Sequence, residues 1–196
     1  RAVFQPVAVG GIPAAEAIFS FAGATGLDAS GNTVTRLWAI TVTASSVLTP
    51  IDPNFNFAAY QNLYSLDVGQ ANWSVNTTGM SATTDLLFVA TAPHDINTAY
   101  VAGQENLFNV YVGKYDAATG SWTSRFNTKV QNNNVETGYG GPGGHLNFSP
   151  APEGLAVASN DPNRVVVSDG YFAYISTDGG QSWQQMVVPE SQDHAA

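Results

Sequence analysis

Eight residues near the end of the chain, Ser176-Thr177-Asp178-Gly179-Gly180-Gln181-Ser182-Trp183, restrict its fold more than any other stretch. They have the composition of a tight polar turn: Asp178 and Ser176 can bond amides of their own loop, and Gly179 and Gly180 supply positive φ at little steric cost. Trp183 then opens the outgoing segment as a large apolar anchor. Tyr171-Phe172-Ala173-Tyr174-Ile175 leads in and Trp183-Gln184-Gln185-Met186-Val187-Val188 leads out, so the stretch reads as the tip of a β-hairpin with a longer loop.

Two relatives of the turn lie upstream. Leu63 to Trp73 keeps Ser65, Asp67, Gly69 and Trp73, with one extra residue between aspartate and tryptophan. Val110 to Trp122 keeps Asp116 and the ending Gly120-Ser121-Trp122. Aligned this way, the tryptophans fall 49 and then 61 residues apart, against about 40 to 50 residues for one four-stranded propeller blade. The second interval therefore calls for an insertion. A second phrase repeats in step: Asp95-Ile96-Asn97 and Asp161-Pro162-Asn163 each follow an apolar run and precede a strand. Phe88 to Thr91 and Leu155 to Ala158 are expected as innermost strands, Ala99 to Ala102 and Val165 to Val167 as second strands. In a looser first repeat, Ala17 to Phe21 and Leu37 to Thr43 take those places, with Gly26 to Asn32 as the turn.

These residues resemble the Asp-box (BNR) β-propellers, a group that includes sialidases, xyloglucan-cleaving glycoside hydrolases, sortilin-type receptors and photosystem assembly factors. Asn160-Asp161-Pro162-Asn163-Arg164-Val165 leading into Ser176 to Trp183 is most similar to the sortilin and xyloglucanase branch. The resemblance is closest over residues 155 to 188. It implies an all-β propeller segment of about three to four four-stranded blades, with repeats at about 15–80, 84–130 and 150–190 and a loop insertion at 131–149. In these families the boxes sit on the periphery, away from the ligand face. The resemblance thus implies structural roles for Asp67, Trp73, Asp116, Trp122, Ser176, Asp178, Gly180 and Trp183.

Closed propellers have about four to eight blades, and 196 residues hold about three and part of a fourth at roughly 50 residues each. Three expectations stand side by side: a segment of a longer protein, a compact four-bladed propeller with one degenerate blade, or another packed-sheet arrangement. The chain begins at Arg1 without a methionine and ends at Ala196, just where the next blade's inner strand would start. An open wedge would expose apolar blade faces, so a further chain or missing blades are expected to complete the propeller.

Composition narrows the function. Charged residues are only 11% of the chain, as suits a surface held by turns, and no long segment has helical period. With six Lys and Arg and a net charge of −9, a phosphate-tracking nucleic-acid surface is not expected. Without cysteine, disulfides, thiolate metal sites and cysteine catalysis are excluded. No stretch approaches the roughly 18 apolar residues of a membrane span. Three scattered histidines suggest no metal, and no cofactor motif is present. The four arginines, Arg1, Arg36, Arg125 and Arg164, do not suit the arginine triad that resemblance to a sialidase would imply. Sequons at Asn72, Asn76 and Asn147 are expected by chance in a chain this rich in Asn and Thr. The resemblance implies a secreted or cell-surface protein.

The candidate ligand site is the long glycine-rich interruption before the last blade, where loops near a propeller's central channel meet ligands. Such long loops in compact domains are often functional. Glu136, Tyr139 and His145 offer a carboxylate, an aromatic platform and an imidazole, and Asn133 with its neighbours offers amides suited to sugar hydroxyls. The competing reading is an insertion packed on a neighbouring blade or subunit. Glu153, the pair His94-Asp95 and the aromatic run Phe55, Phe57 and Tyr60 are weaker candidates; Asp95 is better explained as a turn acceptor and the aromatics as buried. Two partners remain open, a glycan bound by a carbohydrate-active propeller or a protein bound by a non-enzymatic scaffold, and catalysis stays undecided between them.

Overall fold

The computed structural model describes residues 10–45, 60–105, 109–127, 151–168 and 173–186. Twelve strands occur among them. The first four are β1 (Glu16–Leu27), β2 (Thr33–Thr43), β3 (Tyr60–Asp67) and β4 (Ser74–Val75). The next four are β5 (Thr84–Ala90), β6 (Thr98–Glu105), β7 (Asn109–Asp116) and β8 (Ser121–Asn127). The last four are β9 (Gly154–Ala158), β10 (Asp161–Ser168), β11 (Ala173–Ser176) and β12 (Gln184–Met186). Each set pairs antiparallel in sequence order as a four-stranded meander.

The three meanders stack as successive blades. The first strand of blade 2, β5, touches β1, β2 and β3, and the first strand of blade 3, β9, touches β5 and β6. Two cores fill the gaps. Trp38, Ile40 and Leu63 of blade 1 meet Leu86, Val101, Tyr111 and Trp122 of blade 2. Tyr100, Val110, Val112 and Phe126 of blade 2 meet Val165, Tyr174 and Trp183 of blade 3. Blade 2 is thus covered on both faces, which explains why successive residues Ala99, Tyr100, Val101 and Ala102 are all buried. Alternate side chains leave opposite faces of a strand, so a continuous apolar run marks a sheet between two neighbours. The described residues therefore form an all-β propeller segment with three four-stranded blades among them.

Local chemistry sets the turns. Asp95 Oδ1 accepts the Asn97 amide at 2.7 Å and Asp161 Oδ1 that of Asn163 at 3.0 Å, as expected of an aspartate side chain mimicking a backbone turn. In blade 1 the β1–β2 turn spans Asp28 to Asn32, and Asp28 Oδ1 accepts the amides of Ser30 and Asn32. Strand β1 runs on to Leu27, further than the sequence suggests, because the tight turn needs only these five residues. At the last hairpin, the Ser176 hydroxyl donates to Asp178 Oδ1 at 2.8 Å and accepts the Gly180 amide at 2.8 Å. Asp178 also accepts the Ser182 amide at 2.9 Å and its hydroxyl at 2.5 Å. Gly179 and Gly180 have φ of 73° and 84°.

Polar clamps tie blade to blade. Arg36 on β2 donates to the Ile96 carbonyl at 3.2 Å, and Tyr100 on β6 donates its hydroxyl to the Pro162 carbonyl at 2.8 Å. Both acceptors are the middle residue of an Asp-x-Asn turn in the following blade. Lys114 adds a bond to Asn163 at 3.2 Å.

Candidate functional site

The meander order divides the strand ends between two rims. One rim holds the β1–β2, β5–β6 and β9–β10 turns together with the β3–β4, β7–β8 and β11–β12 hairpins. Its aspartates are spent on structure. Asp116 Oδ1 accepts the Ala118 amide at 2.8 Å, Asp178 is saturated as described, and Asp67 forms a two-pronged ion pair with Arg36 at 2.7 and 2.9 Å. Asp67 therefore departs from a purely local turn role: its partner lies on the adjacent strand. His94 is exposed on this rim. Asp95 is occupied by its own turn, so the pair makes no dyad.

The opposite rim holds the other ends: the starts of β1, β3, β5, β7, β9 and β11 and the finishes of β2, β4, β6, β8, β10 and β12. Here the polar groups are not tied into turns. Glu16, at the head of β1, accepts the Thr41 hydroxyl at 2.5 Å and the Tyr64 hydroxyl at 3.1 Å. The first residue of an innermost strand thus reaches across β2 to β3. Burial, and then the bond to the Glu16 carboxylate, push the Tyr64 phenol above its ordinary range. Tyr60 lies half-buried against the core between blades 1 and 2. Burial first, then the charges of Asp85 and Glu16 and the phenols of Tyr111 and Tyr64, hold its hydroxyl protonated far above the usual phenol range. Burial, with help from Glu105, pushes Tyr111 up to about 12.

Tyr64 already donates to Glu16 and Tyr111 is buried in the core, so among these phenols half-buried Tyr60 is the one placed as a donor towards this rim, beside the Asp85 carboxylate. Asp85 is exposed and Glu105 half-buried. Glu153 is exposed as well, while its amide donates to the Ser168 carbonyl at 2.8 Å and fixes the entry to β9. Among the described residues, no group of three or more His, Cys, Asp or Glu is placed to hold a metal ion. Nor is any helix there long and apolar enough to cross a membrane.

Glu136, Tyr139, His145 and Asn133 lie outside the described residues, as do Phe55 and Phe57. The strands flanking residues 131–149 are described: β8 finishes and β9 starts on the same rim as Glu16. Glu16, Thr41, Tyr64, Asp85 and Glu105 were not singled out from sequence. The available signal is positional, since each stands within a few residues of a strand end facing this rim. Asn76, one of the sequons, is committed to structure: its amide donates to Ser65 Oγ at 3.2 Å, and its carbonyl accepts the Trp122 indole at 3.0 Å.

No family model and no curated protein matches the chain. Among solved structures it is similar to a GH74 xyloglucanase from Xanthomonas campestris, with 14% identity over 85% of this chain and 24% of that one, at a TM-score of 0.47. It is also similar to YCF48 from Cyanidioschyzon merolae, with 11% identity over 83% of this chain and 39% of that one, at a TM-score of 0.42. A GH74 enzyme from Niastella koreensis is 16% identical over 83% of this chain and 37% of that one, at a TM-score of 0.27. The chain thus spans less than two fifths of the length of each of these proteins.

Proposed function

We propose that the chain is an Asp-box propeller segment that recognises glycans on the rim opposite its box turns, in a secreted or cell-surface protein completed by further blades. The observation that carries this reading is the segregation of polar chemistry. Aspartates of the turn rim are consumed by amides, hydroxyls and one arginine, while at the other rim Glu16 is joined to Tyr64 and Thr41, and exposed Asp85 and half-buried Glu105 and Tyr60 stand as further polar groups. A phenol donor beside carboxylate acceptors complements the alternating donors and acceptors of sugar hydroxyls. Asn133, Glu136, Tyr139 and His145 lie in sequence between β8 and β9, whose end and start are on this rim, and carry the same kinds of polar group. Binding needs no catalysis, and a catalytic acid and base would belong to further carboxylates on the completed face.

The test is affinity electrophoresis in gels containing xyloglucan or other neutral polysaccharides, followed by calorimetry with oligosaccharides. Asp85→Asn is expected to weaken binding about tenfold, the effect of losing one hydrogen bond to a charged group. Thr177→Ala, exposed on the turn rim, is expected to leave it unchanged. Retention of every glycan by Asp85→Asn and wild type alike, or no retention by either, would overturn the assignment. A protein-binding scaffold is the second reading, favoured by the apolar outer face of blade 1, where Phe21 is 55% and Val75 57% exposed.

A further inference from the structure

Charge is divided between the two rims as sharply as hydrogen bonding is. The Lys and Arg side chains among the described residues all lie against turns of the turn rim. Arg36 reaches the Ile96 carbonyl at 3.2 Å, Lys114 reaches Asn163 at 3.2 Å, Arg125 lies against Gly180, and Arg164 follows Asn163. They share that rim with Asp28, Asp67, Asp95, Asp116, Asp161 and Asp178, each held by the bonds already described. The opposite rim carries Glu16, Asp85, Glu105 and Glu153 and, among the described residues, no Lys or Arg. None of these carboxylates forms an ion pair. In sequence, the segments that join strand ends at this rim add Asp52, Glu136 and Asp169 against Lys129.

A second observation marks one place on this rim. Thr84 is 5% exposed, and its side-chain oxygen is buried without a hydrogen-bond partner. Its amide is used, donating to the Ser81 carbonyl at 3.2 Å, so the hydroxyl is left over. A buried polar group costs free energy until something bonds it. Thr84 pairs with Glu105 in the β5–β6 register, and directly opposed residues share a face of the sheet. That face carries Leu86, two residues on, into the core between blades 1 and 2. Across the junction stands half-buried Tyr60 of blade 1, whose hydroxyl feels the charges of Asp85 and Glu16. The mouth of the blade 1–2 junction thus combines an unpaired hydroxyl, a phenol and carboxylates without counter-charges.

We infer that this mouth holds an amine-bearing sugar, its ammonium group on Glu105 beside the Thr84 hydroxyl and within the field of Asp85 and Glu16, and a sugar oxygen on the Tyr60 hydroxyl. The inference rests on the glycan reading above and names, within it, the class of sugar. An ammonium group supplies the charge that this rim lacks, and its three donors suit a carboxylate and an unpaired hydroxyl oxygen together. A simple amine would use the carboxylates but leave the phenol donor idle. Walls of one sign concentrate ligands of the other sign, so uronic acids and sulfated sugars would be repelled. A metal ion needs ligands grouped more closely, and no group of three or more His, Cys, Asp or Glu is placed for one among the described residues.

The test is calorimetry with glucosamine and N-acetylglucosamine oligosaccharides of equal length, somewhat below neutral pH, where the amines are charged and the carboxylates remain ionised. The amine form is expected to bind about tenfold more tightly, the effect of one hydrogen bond to a charged group, and to lose that advantage as salt rises. Glu105→Gln should remove most of the advantage and leave binding of the acetylated form nearly unchanged, with far-UV circular dichroism as the check on folding. Thr84→Val deletes an unpartnered hydroxyl, so it should weaken binding of the amine form without lowering stability to urea. Equal affinity for the two forms, or tighter binding of a galacturonate oligosaccharide, would overturn the inference and leave the glycan reading standing. Spermine bound as tightly as the amine oligosaccharide would overturn it as well, since any cation would then serve. Binding of neither oligosaccharide and of no neutral polysaccharide would overturn both.

Discussion

The hairpin at Ser176–Trp183 and its relative at Asp67–Trp73 occupy equivalent places in blades 3 and 1, yet they are held by different means. In blade 3 the aspartate organises its own turn, taking a hydroxyl from Ser176 and an amide and hydroxyl from Ser182. In blade 1 the aspartate turns to the neighbouring strand and pairs with Arg36, which in turn reaches the carbonyl of Ile96 in blade 2. The extra residue between aspartate and tryptophan does not by itself release the carboxylate, since Asp116 has the same spacing to Trp122 and still accepts the Ala118 amide; what Asp67 has in addition is Arg36 opposite it on β2. The turn of blade 3 is thus a self-contained unit, and that of blade 1 is part of an inter-blade brace.

The comparison breaks most severely at the tryptophans. Trp183→Ala is expected to destabilise the fold by about 3 to 5 kcal/mol, as a fully buried aromatic should, measured by urea unfolding. The half-buried Trp73→Ala should cost only about 1 to 2 kcal/mol in the isolated wedge by the area it buries.

Glycine substitutions give the next largest contrast. At Gly180, φ is 84° and an added Cβ would stand 2.8 Å from the Arg125 Cβ, whereas at Gly69, φ is 105° and nothing lies within 4 Å. Gly69→Ala should therefore cost about 1 to 2 kcal/mol of left-handed strain alone. Gly180→Ala adds an overpacked contact and should reach about 2 to 4 kcal/mol. Equal midpoints for the two variants would mean that the blade 3 turn yields without disturbing blade 2.

The smallest effect is pH-dependent. Partial burial opposes ionisation of Asp178, but bonds from the Ser182 side chain and amide, the Ser176 hydroxyl and the Gln181 amide outweigh it and hold the carboxyl at about 2, below its ordinary 3.8. A carboxyl depressed by folding stabilises above its unfolded pKa, and that contribution is lost as pH falls through the folded value. After allowance for solvent screening, about 1 kcal/mol is expected. The stability gap between wild type and Asp178→Asn should be present at neutral pH and shrink as pH falls from about 4 towards about 2. A gap constant across that range would assign the turn's stability to its backbone and glycines.

These turns also mark how far the fold was legible in advance. Asp178, Asp95 and Asp161 were readable because each bonds an amide two to four residues away, so their chemistry lies within one sequence window. The second-strand assignments held for a related reason: a strand buried on both faces shows as an unbroken apolar run, as at Ala99 to Ala102. Asp67 was less legible. Its partner Arg36 is 31 residues away, and nothing near Asp67 distinguishes it from a turn acceptor. The rim carboxylates were harder still, because Glu16 finds Tyr64 only after β1, β2 and β3 have paired, 48 residues apart along the chain.

Sequence by itself determined the turns, their period and the alternation that makes each meander, since hydrogen bonds over a few residues and the two-residue pleat repeat are local physics. Tertiary structure alone decided which face of each blade is covered and what lies opposite each tryptophan indole. It also decided which carboxylates stay off the turns to form the polar rim. Those outcomes depend on how one sheet stacks on the next, and stacking brings together residues that no local pattern relates. Trp73, Trp122 and Trp183 share the same tryptophan position in sequence, and the stacking of blade 2 on blade 1 and of blade 3 on blade 2 buries Trp122 and Trp183 while Trp73 is half-buried.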